Sequence, residues 1–316
     1  MSKLKPLLKI AISLALIAII LRAFDVKDVG VHLAKVDALT LFAATALAFV
    51  VTFLHTARWM TVLEANGTPL AFKAVLRMVL IGLFFNQALP SSVGGDAVRV
   101  WCAYRGGLAF SSAARTVIVD RALTLLALLL LSALGLPWLF RIITEPVAHW
   151  ALAIVIAAGL TTVGVFLTIK RLPHFMSHWR AARALLGLAA LARTVLSNAR
   201  YASVTILASV AGFIIFALIV FMIAHAMQLG ISFRNCVLLV PPVILVTVVP
   251  LSIGGWGVRE GAMVVAFGFI GVAPSAAFAT SALFALTVAV ASLPGAIVWW
   301  LAGYKLSNVA ARMNDD

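Results

Sequence analysis

Charge is what this chain has least of. Asp, Glu, Lys and Arg make up 11% of its 316 residues, where a soluble domain carries about a quarter. Acids are scarcer than bases, ten against 24, which leaves little material for acid–base pairs or hard-metal sites. Cysteine is nearly absent: Cys102 and Cys236 cannot form a disulfide framework, and neither has metal-ligand spacing. There is no H-E-x-x-H helix, no Walker loop and no Cys–His pair in a catalytic context. The expectation is therefore a protein that is not an enzyme, has no catalytic residues, holds no metal or cofactor, and does not itself hydrolyse ATP. The net charge of +14 would suit nucleic acid, but no soluble domain is there to present it. In a membrane protein such an excess sets topology and meets anionic headgroups, so nucleic acid is excluded as a partner.

What the chain has instead is apolar sequence: 64% hydrophobic residues and a mean hydropathy of +1.14. Runs long enough to span a bilayer recur at Leu39–Leu63, Val117–Leu139, Trp150–Ile169, Val204–Leu229 and Ala276–Trp300. The start, with Lys3, Lys5 and Lys9 before IAISLALIAIILRAF, has the layout of a signal peptide but no small-x-small site follows. It reads as a retained first helix with Lys9 and Arg22 at the interfaces. The fold class is an all-α polytopic membrane protein.

Within this apolar background one motif is written twice. Residues 89–99 read LPSSVGGDAVR and residues 249–259 read VPLSIGGWGVR. Proline beside a glycine pair is what helix interiors avoid, so each copy reads as the tip of a broken, re-entrant helical hairpin. The likeness extends outward. LAFKAV (70–75) matches ISFRNC (231–236) upstream, and GLAFSSA (107–113) matches GVAPSAA (271–277) downstream, each of the latter introducing a long helix. The organisation is one transmembrane domain, 1–316: first helix and loop 1–38, repeat half one 39–140, connecting span and amphipathic linker 141–201, and repeat half two with the tail 202–316.

A re-entrant hairpin leaves on the side it entered, so half one ends on the side where it began. The single span at 150–169 then starts half two from the opposite side. The halves are inverted, as in many transporters, with about six full spans plus two hairpins whose tips approach the midplane. Charge supports this count. Of the 24 Lys and Arg, 17 fall on the side of the N-terminal tail, six on the other, and Arg121 lies within a span. The positive-inside rule makes the first side the cytoplasm and places both termini there. The linker between Lys170 and Arg200, with Arg180, Arg183, Arg193 and Arg200 among Leu and Ala, suits a helix lying on that leaflet.

The glycine pairs Gly94–Gly95 and Gly254–Gly255 permit tight turns and leave backbone amides unshielded. With a helix starting there, those amides and the dipole end form an anion site, and Arg99 or Arg259 completes a phosphate cradle. Ionisable residues at membrane depth usually face a cavity or one another. Arg58, at the end of the second span, Asp96, Arg99, Asp120 and Arg121 are expected to gather at the cytoplasmic mouth of half one. The candidate pairs there are Asp96–Arg58 and Asp120–Arg99. Arg259 and Glu260 stand at the opposite mouth with Trp256 in the tip. Asn86 and Ser252, beside the two tips, complete the candidate substrate-binding set. His55 and His225 read as interfacial.

The runs NQALPSSVGGDAVR and VPLSIGGWGVREG, with HTARW before them and VDR after the first, resemble the transmembrane domain of bacterial lysylphosphatidylglycerol synthases and its stand-alone, flippase-like relatives. The resemblance covers roughly 7–302, and the synthases' aminoacyl-transferase domain does not follow it. It implies a multi-pass protein of the bacterial inner membrane that moves lipid between leaflets. The lipid would be an anionic or zwitterionic phospholipid, or a polyprenyl or hopanoid lipid. A homo-oligomer or a lipid-synthesis enzyme stands as the candidate protein partner. Two other readings compete: a membrane-embedded glycosyltransferase using Asp96 and Asp120, and a channel, against which the arginines at both mouths argue.

Overall fold

The computed structural model describes residues 26–89, 94–143, 145–169, 179–248 and 255–303. The first helix and the two hairpin tips (90–93 and 249–254), with Ser252 and Gly254, lie outside the described residues. A short helix α1 (Val26–Ala34) leads into half one: α2 (Ala38–Ala65), α3 (Phe72–Ala88), α4 (Gly94–Arg105) and α5 (Phe110–Ile142). Helices α6 (Pro146–Thr168) and α7 (Arg180–Ser197) connect the halves. Half two is α8 (Ala199–Ala226), α9 (Phe233–Thr247), α10 (Val258–Gly268), α11 (Pro274–Ser292) and α12 (Pro294–Leu301). Among the described residues there is no strand. The order long–short–short–long is thus written twice, and each sequence landmark is a helix start: Phe72 and Phe233 open the first arms, Phe110 and Pro274 the closing helices.

Five stretches are long and apolar enough to cross a membrane: α2, α5, α6, α8 and the continuous pair α11–α12. They coincide with the five runs read from sequence. The hairpin arms are different. At 1.5 Å per residue the 17 residues of α3 reach about 25 Å and the 12 of α4 about 18 Å, short of a hydrocarbon core of about 30 Å. The arms α9 and α10 are shorter still, with 15 and 11 residues.

The inversion is visible in side-chain contacts. Gly212 faces Val51, Ser209 meets Arg58 and Arg200 meets Glu64. As numbering rises along α2 it falls along α8, so these equivalent helices run antiparallel. Glycine makes the matching crossings between halves. Gly135 of α5 receives Leu238 of α9, while a Cβ on Gly295 of α12 would collide with the Leu80 carbonyl of α3. Each half's closing helix therefore packs on the other half's first hairpin arm.

Large apolar side chains stand on the exterior: Leu39, Phe42, Trp150 and Leu207 are each more than 60% exposed. Helix α7 has a buried stripe of Ala182, Ala189, Ala192 and Val195, as its amphipathic sequence predicts. Its Arg193 donates from Nη1 to the carbonyls of Leu167 and Ile169 at 3.0 and 2.7 Å, satisfying the C-terminal carbonyls of α6 that have no partner within the helix.

Candidate functional site

Helix α5 carries Asp120 and Arg121 about three turns in from its start. Asp120 is fully buried, and a carboxylate at membrane depth must find cations. It finds two. Arg58 of α2 engages it with both prongs, Nε–Oδ1 at 2.7 Å and Nη2–Oδ2 at 3.3 Å, and Arg99 of α4 adds Nη2–Oδ2 at 3.2 Å. Arg99 also reaches Asp96, Nη1–Oδ1 at 3.4 Å, and Arg121 grips Asp96 with two bonds of 2.6 and 3.0 Å. The result is an alternating chain, Arg58–Asp120–Arg99–Asp96–Arg121. Exposure falls along it: the Arg121 side chain is 47% exposed, that of Asp96 10%, and that of Asp120 1%.

The five-residue gathering expected from sequence is present, and so is the Asp120–Arg99 pair. The pairing of Asp96 with Arg58 is not: Arg58 turns to Asp120 and to Ser209 Oγ (3.3 Å), leaving Asp96 to Arg121 and Arg99. Nor does Arg58 end its span. It sits seven residues before the end of α2 and is 3% exposed. His55, read as interfacial, lines the cavity one turn away. His225, in the last turn of α8, is exposed and stacks on Phe221.

A cavity of about 180 Å³ adjoins this chain. Half one lines it with His55, Arg58, Asn86, Gln87, Arg99, Arg121 and Thr124, and half two contributes Phe216 of α8 and Val288, Ala291 and Ser292 of α11. The site thus lies between the inverted halves. Arg99 is steered into it by two features. Its stem passes Gly82, where any Cβ would strike Arg99 Cγ, and its guanidinium lies 4.1 Å from the centre of the Trp59 ring, a favourable cation–π placement.

The two glycine motifs do different work. A Cβ on Gly95 would collide with the Gly82 carbonyl, so Gly95 serves the close packing of α3 and α4. Gly94 faces Leu89 of the preceding arm. Gly255 instead has φ +81°, as does Gly257 at +84°, a left-handed turn that glycine adopts without penalty. Of the amides expected to be free, that of Gly95 has a partner, and in half two the nearby Gly257 amide has one as well. Gly95 N–H donates to Asn86 Oδ1 at 3.0 Å, and Gly257 N–H donates to Glu260 Oε2 at 2.5 Å.

Among the described residues, half two builds no matching cluster. Arg259 turns wholly to its neighbour Glu260, with bonds of 2.8 and 3.1 Å, and Ser281 Oγ adds a contact to the same carboxylate at 3.4 Å. The position that corresponds to Asp120 on α11 is Phe284, over which Arg259 lies at 5.8 Å, with Trp256 at 5.3 Å. Arg259, Glu260, Trp256 and Gly255 do not line the cavity between the halves.

Sequence reasoning put His55 at an interface and passed over Trp59 and Gly82. The first two were legible: in HTARW, His55, Arg58 and Trp59 fall at i, i+3 and i+4, one face of a helix. Gly82 gave no signal, because its role depends on which side chain crosses it.

Three arginines and two aspartates thus form one cluster beside a cavity that both halves line. Residues 7–295 match the lysylphosphatidylglycerol synthase TM region. The chain belongs to that family. A UPF0104 membrane protein of Methanothermobacter thermautotrophicus is 25% identical over 296 residues, covering 85% of this chain and 86% of its own length. A UPF0104 membrane protein of Methanocaldococcus jannaschii is 36% identical over 86 residues, 25% of this chain and 24% of its own.

Proposed function

We propose that this family member is a lipid transporter, not an enzyme, that moves a phosphate-bearing lipid between leaflets. The observation that carries the reading is the arginine-lined cavity enclosed between two inverted halves. A site at such an interface can be exposed to either side in turn as the halves rock, and guanidinium forks suit phosphate oxygens. Family membership supports a lipid-related role. Against the glycosyltransferase reading, its candidate bases Asp96 and Asp120 are each held by two arginines. The orientation that follows from the basic-residue asymmetry has both termini in the cytoplasm, in a cytoplasmic membrane, and the lipid is the sole partner the cavity requires.

The test is reconstitution of the purified chain into liposomes bearing a headgroup-labelled phospholipid whose outer-leaflet label can be bleached. Transport makes inner-leaflet label bleachable within the assay. Protein-containing vesicles that bleach no further than empty ones would refute the proposal for that lipid class.

A further inference from the structure

The charges facing the cavity can be counted. Among the described residues, Arg58, Arg99 and Arg121 supply three positive charges to the lining, Asp96 and Asp120 behind them two negative ones, and the one other ionisable lining group is His55. With a neutral imidazole the site holds one uncompensated positive charge. A net charge at bilayer depth is costly and favours a compensating partner. The donors confirm that something is owed to Arg99: its Nε is buried and has no hydrogen-bond partner, although Nη1 and Nη2 both do. Neutral donors line the same cavity in Asn86 and Gln87, whereas the Thr124 hydroxyl there donates to the Asp120 carbonyl.

We propose that the cavity takes a singly charged phosphate diester and discriminates against phosphate monoesters and diphosphates. One negative charge brings the cluster to neutrality, whereas a second or third would leave a buried excess as costly as the original. The two unesterified oxygens of a diester match donors held on separate helices, Arg99 on α4 and Arg121 on α5. Arg121, the most exposed member, meets the anion first, and Asp96 is the carboxylate it exchanges for phosphate. The charge rule stands independently of the transport reading, which it extends by naming the headgroup chemistry.

The experiment is calorimetric titration of the full chain in an uncharged detergent at pH 8. Three probes serve: dihexanoyl phosphatidylglycerol, dihexanoyl phosphatidic acid and the chain-free diester glycerophosphoglycerol. Wild type is expected to bind the diester lipid at least tenfold more tightly than the monoester lipid, about 1.4 kcal/mol. Equal or tighter monoester binding overturns the proposal. Asp96→Asn raises the count to two and should reverse the preference; an unchanged preference in a folded variant also overturns it. Should Asp96→Asn fail to fold, Arg121→Gln, which brings the count to zero, is read instead, and it must lose at least tenfold in diester affinity. Glycerophosphoglycerol separates the two readings: binding as tight as the lipid's keeps the charge rule and removes the lipid as its source.

Discussion

Asp120 is the residue on which the site turns, because two guanidiniums depend on it in a place water does not reach. Asp120→Asn would leave Arg58 and Arg99 facing a neutral amide, and removing one partner of a buried ion pair costs about 3–5 kcal/mol. The expected outcome is a large fall in melting temperature in detergent; a melting point like that of the wild type would show that the carboxylate is not the anchor. The glycines make a sharper pair of predictions, because the two motifs use them for different physical reasons. At Gly255 the constraint is backbone conformation, so Asn, which tolerates φ > 0, should be far better accepted than Val. At Gly95 the constraint is space against the Gly82 carbonyl, so Asn should fare no better than Val, as folded yield and melting temperature would report. If both positions rank Asn and Val alike, the distinction fails. None of this was legible from the motif, in which the two glycine pairs look identical.

At the scale of elements, much was readable and the reason is local. Helix starts are set by nearby residues, so the Phe and Pro landmarks at 72, 233, 110 and 274 could be seen in the chain. Broken arms betray themselves by proline and glycine in apolar runs. Which acid meets which arginine depends on the faces that helices present after crossing, and hence the Asp96–Arg58 pairing read from sequence was wrong. The antiparallel packing of α2 on α8 can be tested directly. In a background with Cys102 and Cys236 replaced by Ala, Val51→Cys with Gly212→Cys should form an intramolecular disulfide on mild oxidation, since a Cβ at 212 would stand 3.6 Å from the Val51 side chain. Controls placing the second cysteine a helix-length away should not. Failure of the first pair alongside success of a control would contradict the inverted arrangement.

Across the whole molecule, the halves share an architecture and differ in chemistry. Half one leaves an arginine-rich cluster with one charge unmatched, whereas half two pairs Arg259 with Glu260 and puts Phe284 where half one has Asp120. Duplication alone would suggest two equal sites handing a phosphate from one to the other, and that symmetric picture was what the sequence offered. The proposed function instead assigns one working site, in half one, with half two completing its wall. The most direct test is therefore lipid transport in liposomes by Arg99→Ala and Arg259→Lys, measured side by side at matched protein density. The account predicts that Arg99→Ala abolishes transport while still inserting and folding, and that Arg259→Lys, which keeps the charge beside Glu260, retains most of it. Transport by Arg99→Ala at the wild-type rate would contradict the central claim.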